Sequence, residues 1–241
     1  NRFKTIMSQE EFGIVISKKD QAGLNIAKEL KELGLAAVFI EKDSIHSENI
    51  DNDPKLKNKK FLIFATKHQS IKEVPSLTVH APGNPYNKAD AGGKPNKLCS
   101  TSGMFMKLLF NILNDEAKKQ KLNMKYKITL ECTHHGPLIK KPCCFIEIGS
   151  TINEWKNKKA GKTIATTIKR AINNVILNGL SEYETTLGIG DTHYCPTFSK
   201  IQLTSNYAIS HIIPKYALPT TKEIIQEAIN KTIEPVKKVI I

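Results

Sequence analysis

A chain of 241 residues can bury a sizeable core unaided, and its 40% hydrophobic content, with no apolar run of the roughly 18 residues a membrane span needs, excludes a helical membrane protein and predicts a soluble one. Basic residues outnumber acidic ones 36 to 23, leaving a net charge of +13 that favours a polyanionic partner such as RNA. Five cysteines, an odd number without zinc-finger spacing, speak against a disulfide framework and for reduced thiols in a cytoplasm.

The opening NRFKTIMSQEEFGIVISKKD has no basic region followed by an apolar one and no small-residue cleavage site, so no secretory signal is expected, and the absent initiator Met reads as a trimmed or tagged end. FGIVIS reads as a strand, and QAGLNIAKELKEL as a helix behind a cap at Asp20, with Leu24, Ala27, Leu30 and Leu33 at helical spacing. LAAVFIE, KKFLIFATKH and SLTVHAPG follow as strands, then a long irregular segment from Gly83 to Gly103 rich in Gly, Pro, Asn and Lys. Loops of this length are usually functional or disordered, and this one follows a strand ending in His80, which places it beside the active site or makes it a plain surface excursion.

MFMKLLFNILNDEAKKQ reads as a helix, YKITLECTHH and CCFIEIGS as strands, residues 153 to 177 as one helix, YAISHIIP as a strand and TKEIIQEAIN as a last helix. In CCFIEIGS, Cys143 and Cys144 would alternate across the strand. The alternation predicts a single three-layer α/β domain over 1–241, around a central mixed or mostly parallel sheet.

His80, His134, His135, Glu147 and His193 sit at or just past predicted strand ends, where open α/β sheets gather their ligand sites. The pair His134 and His135 before Gly136-Pro137 is the strongest signal, because two imidazoles at a turn are poor core material and good chemistry. Neutral imidazole binds zinc and also serves as a general base, and the residues alone leave both roles open. Cys132 and Cys195, each two residues from a histidine, are read first as small buried hydrophobes and second as sulfur ligands.

In GIGDTHYCP, Gly188 and Gly190 would let the backbone approach a substrate or offer amides to an anion, and Tyr194 would either stack on a nucleobase or plug the core edge. Lys158, Lys162 and Lys169 lie along one face of a helix whose other face carries Ile164, Ile168 and Ile172. With the clusters at Lys55, Lys57, Lys59, Lys60, Lys118, Lys119 and Lys121, they would track phosphates or merely be solvated. Lys158 and Lys162 are therefore candidates for substrate binding, together with His80, Gly188, Gly190 and Tyr194.

The set LTVHAPGN, THHGP, FIEIGSTINEW, GIGDTHYCP and SHIIPKY, in this order between residues 77 and 216, resembles the archaeal and plant type of D-aminoacyl-tRNA deacylase. The resemblance implies hydrolysis of the ester joining a D-amino acid to tRNA, sparing translation from D-amino acids, in a cytoplasmic, zinc-containing α/β domain similar to peptidyl-tRNA hydrolases and phosphorylases. Asp191 and Cys195 depart from it, standing where glycine and alanine are usual.

His134, His135, Glu147 and His193 become the expected catalytic residues, with His80, His134, His135 and His193 as zinc ligands. D-aminoacyl-tRNA is the partner, and a monomer is expected, with a dimer as the alternative. Water is the expected nucleophile, since no serine sits in GxSxG and no cysteine has a triad context. The substrate carbonyl is expected near Gly188 to Gly190, its amine near Glu147 or a backbone carbonyl, and its side chain toward solvent or the 83–103 loop. The competing readings are a related α/β hydrolase or phosphorylase acting on peptidyl-tRNA or nucleosides, and a non-enzymatic RNA-binding protein; paired imidazoles at a turn argue against the last.

Overall fold

The computed structural model describes residues 7–241; the first six residues of the opening stretch, on which part of the reading of its leader rests, lie outside the described residues. The first strand, β1 (Phe12–Ser17), is buried along its whole length, as expected of a strand covered on both faces. It feeds α1 (Gln21–Glu32), whose first turn is capped by Asp20 accepting from the Gly23 amide at 2.8 Å, and whose inner stripe of Ala22, Ile26 and Leu30 lies in the core. Full burial of Ile26 and Leu30 stabilises the packing by about 1.5–3 kcal/mol each.

Then come β2 (Val38–Ile40), β3 (Phe61–Lys67), β4 (Ser76–His80), the two-residue strands β5 (Gly83–Asn84) and β6 (Lys97–Leu98), and α2 (Gly103–Lys119) behind its Ser102 cap. β7 (Lys127–Leu130) and β8 (Cys143–Gly149) complete the large sheet. The helix expected over 153–177 is two helices, α3 (Ile152–Trp155) and α4 (Lys158–Asn178), because Asn157 leaves the helical region and caps α4 by accepting from the Ala160 amide at 3.0 Å. The chain ends in β9 (Glu184–Ile189), α5 (Pro196–Thr204), β10 (Tyr207–Ile213), α6 (Lys222–Asn230) and β11 (Lys238–Ile240).

Six strands form the central sheet in the order β2-β1-β3-β8-β4-β7. All neighbouring pairs are parallel except β8 with β4, so β4 and β7 run against the rest. The α/β class and the mixed, mostly parallel sheet are those expected from the sequence, but the two faces are covered unequally. Residues such as Ile63, Ile146, Leu77 and Val79 face the core built with α1, α2 and α4. Val15, Leu62, Phe64 and Phe145 face a smaller core closed by Ile50, Leu56, Cys99 and Ile139, which belong to turns and connecting segments. Cys144 falls into the first of these cores and Cys143 into the smaller second one, the alternation expected of a strand.

A second sheet, β10-β9-β11, was not foreseen. Its central strand contains Gly188, and the segment YETTLGIG reads as a strand only once the two β-branched threonines are weighed above the glycines. The two sheets meet at Thr133, whose amide donates to the Ile212 carbonyl at 2.9 Å and whose hydroxyl lies 3.2 Å from His211 Nδ1. Among the described residues no helix is long and apolar enough to cross a membrane.

His211 is fully buried, and burial lowers its pKa to about 4. Between the ordinary histidine value and that of the fold, the unfolded chain binds the extra proton, so stability is complete above pH ~6.5 and is lost as pH falls toward 4, by up to about 3 kcal/mol. Urea unfolding at pH 7 and pH 4.5 is expected to show a smaller acid loss for His211→Asn than for the parent chain.

Candidate active site

Three adjacent strands place Thr66, Glu147 and Thr78 side by side, since Thr66 pairs with Glu147 across β3 and β8, and Glu147 with Thr78 across β8 and β4. Glu147 is therefore a mid-strand residue on the sheet face, rather than one at a strand end. Its Oε1 accepts from Thr66 Oγ1 at 2.7 Å and its Oε2 from Thr78 Oγ1 at 3.5 Å. Because β4 and β7 run against β3 and β8, the residues that close β3, β4 and β7 reach Glu147 from both strand directions instead of lining one sheet edge. His68 follows β3, His80 ends β4, and Glu131 follows β7.

Glu131 is the second buried carboxylate and the hub of the cluster. Its Oε1 lies 3.1 Å from His68 Nδ1, and its Oε2 lies 3.7, 3.8 and 3.9 Å from the Nε2 atoms of His134, His193 and His80. Glu147 Oε2 lies 3.6 Å from both His68 Nδ1 and His80 Nε2. His80, His134, His135, Glu147 and His193 are thus brought together, and Glu131 and His68 join them. His68 carried the same signal as His80, a histidine closing an apolar strand, and Glu131 that of an acid set in the apolar run ITLEC.

The adjacent pair His134 and His135 reaches one target because His135 adopts a left-handed backbone, φ 47°, which breaks the alternation of a strand. The two rings stand 4.3 Å apart at 65°. Gly136 follows because nothing larger fits: a Cβ there would lie 2.4 Å from both the Gly93 nitrogen and the Ile45 oxygen. The 83–103 loop is accordingly beside the site, with the Gly136 amide donating to the Ala91 carbonyl at 2.9 Å.

Ring orientation fixes the tautomers. A carbonyl only accepts, so the Nδ1–H groups of His80, His134 and His135 donate to the carbonyls of Ala81, Cys132 and Gly136, at 3.2, 2.8 and 2.6 Å. That leaves Nε2 of His80 and His134, the atoms nearest the carboxylates, as the inner nitrogens of their rings. Burial, joined by neighbouring imidazoles, lowers the pKa of His134 well below the usual range and that of His135 to about 3, and burial also lowers His193. Against burial, Glu131 and Glu147 raise His68 to about 11, and Glu147 with Glu131 raises His80. His68 is a cation here: Nδ1 faces Glu131, and Nε2 donates to Tyr194 Oη at 3.0 Å, whose own proton goes to Ser70.

The cluster opens into a cavity of about 360 Å³ lined by His68, His134, His135, Glu147 and His193 and also by Asp43, Ser44 and Ala91. Its chemistry is that of a cation site. His80 Nε2 and both Glu131 oxygens are buried without a properly directed hydrogen-bond donor, and the sets His80–His134–His135, Cys132–His134–His193, His68–Glu131–His193 and His80–Glu131–Glu147 each bring three donor atoms within 4.8 Å of one another.

Other expectations fare differently. Gly188 lies inside β9 against the Phe198 ring, and the Gly190 amide donates to the Ile213 carbonyl at 2.8 Å, so this segment is a strand and its exit rather than a turn of free amides. Tyr194 is held by His68 and Ser70, with Lys127 Nζ 4.8 Å from its ring centroid. Lys158 and Lys162 are exposed at the start of α4 and do not line the cavity. Cys195 Sγ is turned to the Thr192 carbonyl at 3.2 Å and belongs to none of the donor sets. Asp191, at φ 68°, binds the first amides of α5, Thr197 at 2.8 Å and Phe198 at 3.2 Å, which gives the carboxylate a capping role that glycine could not fill.

Residues 56–241 match the family model of the D-aminoacyl-tRNA deacylases. The chain is 38% identical over 194 residues to the D-aminoacyl-tRNA deacylase of Pyrococcus furiosus, covering 80% of this chain and 67% of that one. It is 30% identical over 240 residues to the D-aminoacyl-tRNA deacylase of Caldivirga maquilingensis, covering 93% and 87%. A crystal structure of a conserved protein of unknown function superposes with a TM-score of 0.84 at 28% identity, covering 95% of this chain and 84% of the other.

The close approach at Gly136 generates a prediction. Gly136→Ala forces a methyl against backbone that has no flexible end to move, and is expected to cost about 1–3 kcal/mol of stability. Denaturant midpoints of the two proteins measure it, and an unchanged midpoint would mean that the loop and the histidine turn are not packed as described.

Proposed function

The chain belongs to the D-aminoacyl-tRNA deacylase family, and we propose that it hydrolyses the ester between a D-amino acid and the 3′ end of tRNA, releasing both. The observation that carries this reading is the gathering of His80, His134, His135 and His193 around two buried carboxylates at a cavity wide enough for an aminoacyl group, in a chain with that family membership. It favours an ester hydrolase over the nucleosidase, phosphorylase and RNA-binding alternatives.

Hydrolysis needs a water that loses a proton, and a counter-charge where the ester oxygen turns negative. His134 and His135, neutral through burial and weak bases for the same reason, keep Nε2 free to accept a hydrogen bond from that water and orient it. His68, kept cationic by Glu131 and Glu147, supplies positive charge at the cavity wall. A thiol nucleophile is disfavoured: burial holds Cys132 at about 12, and the other thiols are buried as well. All five cysteines are unpaired, which suits a cytoplasmic protein.

Zinc fits the donor atoms here: His80, His134 and His135 would hold it, or His134 and His193 with Cys132, with Glu131 as the carboxylate close to His134. When bound, it would polarise the ester carbonyl and ease deprotonation of water. The exposed lysines, Lys158 and Lys162 among them, together with the charge of +13, would meet the phosphates of tRNA.

Cleavage of D-tyrosyl-tRNA with the L-ester spared is the expected assay result, and equal rates on both would overturn the assignment. His134→Ala and His135→Ala should each slow it by about 10²-fold or more. Elemental analysis is expected to find zinc in active protein and less of it in His80→Ala, while active protein free of metal would remove zinc from the reading. Log affinity for tRNA is expected to fall linearly with log salt, by about 0.7–0.9 per neutralised phosphate.

A further inference from the structure

We propose that Asp43 and Ser44 bind the protonated α-amine of the aminoacyl group, in the cavity into which the histidine cluster opens. The inference rests on the deacylase reading above and assigns the wall of the site that reads the amino acid.

An ammonium entering a cavity gives up its water and must find acceptors for its three N–H groups. The other carboxylates that line the cavity are already committed. Glu147 accepts from Thr66 and Thr78 and faces His68 and His80. Glu131 has no directed donor, but it does not line the cavity and is ringed by four histidines. Asp20 spends one oxygen on the Gly23 amide and the other on the Lys67 amide, both at 2.8 Å. The amine expected near Glu147 from the sequence would therefore have to displace existing partners.

Asp43 and Ser44 are placed differently. Both line the cavity. The Asp43 carboxylate precedes a single helical turn, Ser44–His46, yet makes no capping hydrogen bond to it. Ser44 is 5% exposed, and its hydroxyl is buried with no hydrogen-bond partner. Of the eight buried hydroxyls without a partner among the described residues, only that of Ser44 belongs to a residue lining this cavity, so it is the one with acceptor capacity to offer a ligand there. Lys67, the one lysine or arginine among the lining residues, has its ammonium over the Trp155 ring, 5.2 Å from the centroid.

The turn that carries the pair is held firmly. The His46 amide donates to the Asp43 carbonyl at 3.0 Å, Ser47 Oγ donates to the Ser44 carbonyl at 2.6 Å, and the Gly93 amide donates to Glu48 at 2.8 Å. The Ile45 carbonyl is packed against both Gly92 and Gly136, the glycine after the histidine pair. A substrate held by its amine at Asp43 and Ser44 and by its carbonyl at the cluster has two of the three points that distinguish mirror images. The third is the direction left to the side chain.

The test compares D-phenylalanyl-tRNA with 3-phenylpropionyl-tRNA, the same ester without the amine, at saturating and subsaturating concentrations. The parent protein is expected to cleave the amine-bearing ester about 10²-fold faster in kcat/KM. Asp43→Asn should lower that rate about 10–100-fold, Ser44→Ala should lower it about 10-fold, and both should leave the deamino ester unchanged, so that the preference collapses. Asp43→Glu should restore part of it.

Equal losses on both esters in Asp43→Asn, an exposed position where folding is not at stake, would make the turn merely structural and overturn the inference. An undiminished preference in both variants would overturn it equally. A parent protein that cleaves no D-aminoacyl ester would instead bring down the deacylase reading on which it rests.

Discussion

Two carboxylates buried within reach of the same histidines are the constraint on which the site depends. Glu131 and Glu147 are each about 2% exposed, and two unpaired charges so buried would be prohibitively costly. The surrounding residues offset that cost. Thr66 and Thr78 flank Glu147 through the strand register, His68 carries positive charge on the carboxylates, and His80 stands within 4 Å of both. What remains without a directed partner is His80 Nε2 and the two Glu131 oxygens. The same burial keeps His134, His135 and His193 neutral, so charge is separated across a few ångströms: a cationic His68 on one side and neutral imidazoles on the other.

The reversal of strand direction between β8 and β4 makes this arrangement possible. In an all-parallel sheet the residues after each strand gather along one edge, and Glu147 in mid-strand would lie away from them. With β4 and β7 reversed, His80 and Glu131 return toward the middle of the sheet, where Glu147 already lies. Long helices cover the other face, leaving this one to short turns and loops that can leave a cavity. Those loops are locked by backbone contacts with no room for a side chain, at Gly92 and Gly136 above all, so that the histidine turn, the 83–103 loop and the Asp43–Ser44 turn form one rigid wall.

Much of this was legible in the chain because it is local. Hydrophobic periodicity and caps disclosed β1, α1, α2 and the strands ending in His68 and His80, and the imidazole pair before Gly136 marked chemistry because such a pair has little place in a core. The family resemblance rested on the same short motifs. Where the local signal misled, a competing one had won: the glycines of LGIG outweighed the threonines before them, hiding β9 and with it the second sheet, and the helix over 153–177 concealed the cap at Asn157.

The sequence by itself thus determined most of the elements, their α/β class, most of the histidines that matter and the basic charge, since each follows from side-chain type and spacing within a few residues. Only the tertiary structure decided that Glu131 is the hub, that His68 is a cation, that Gly188 and Gly190 spend themselves on packing and a strand bond, and that Asp43 and Ser44 line the same cavity as the cluster. The reason is physical. Those roles depend on which strands run antiparallel and which backbones touch across scores of intervening residues, and no periodicity along the chain encodes that.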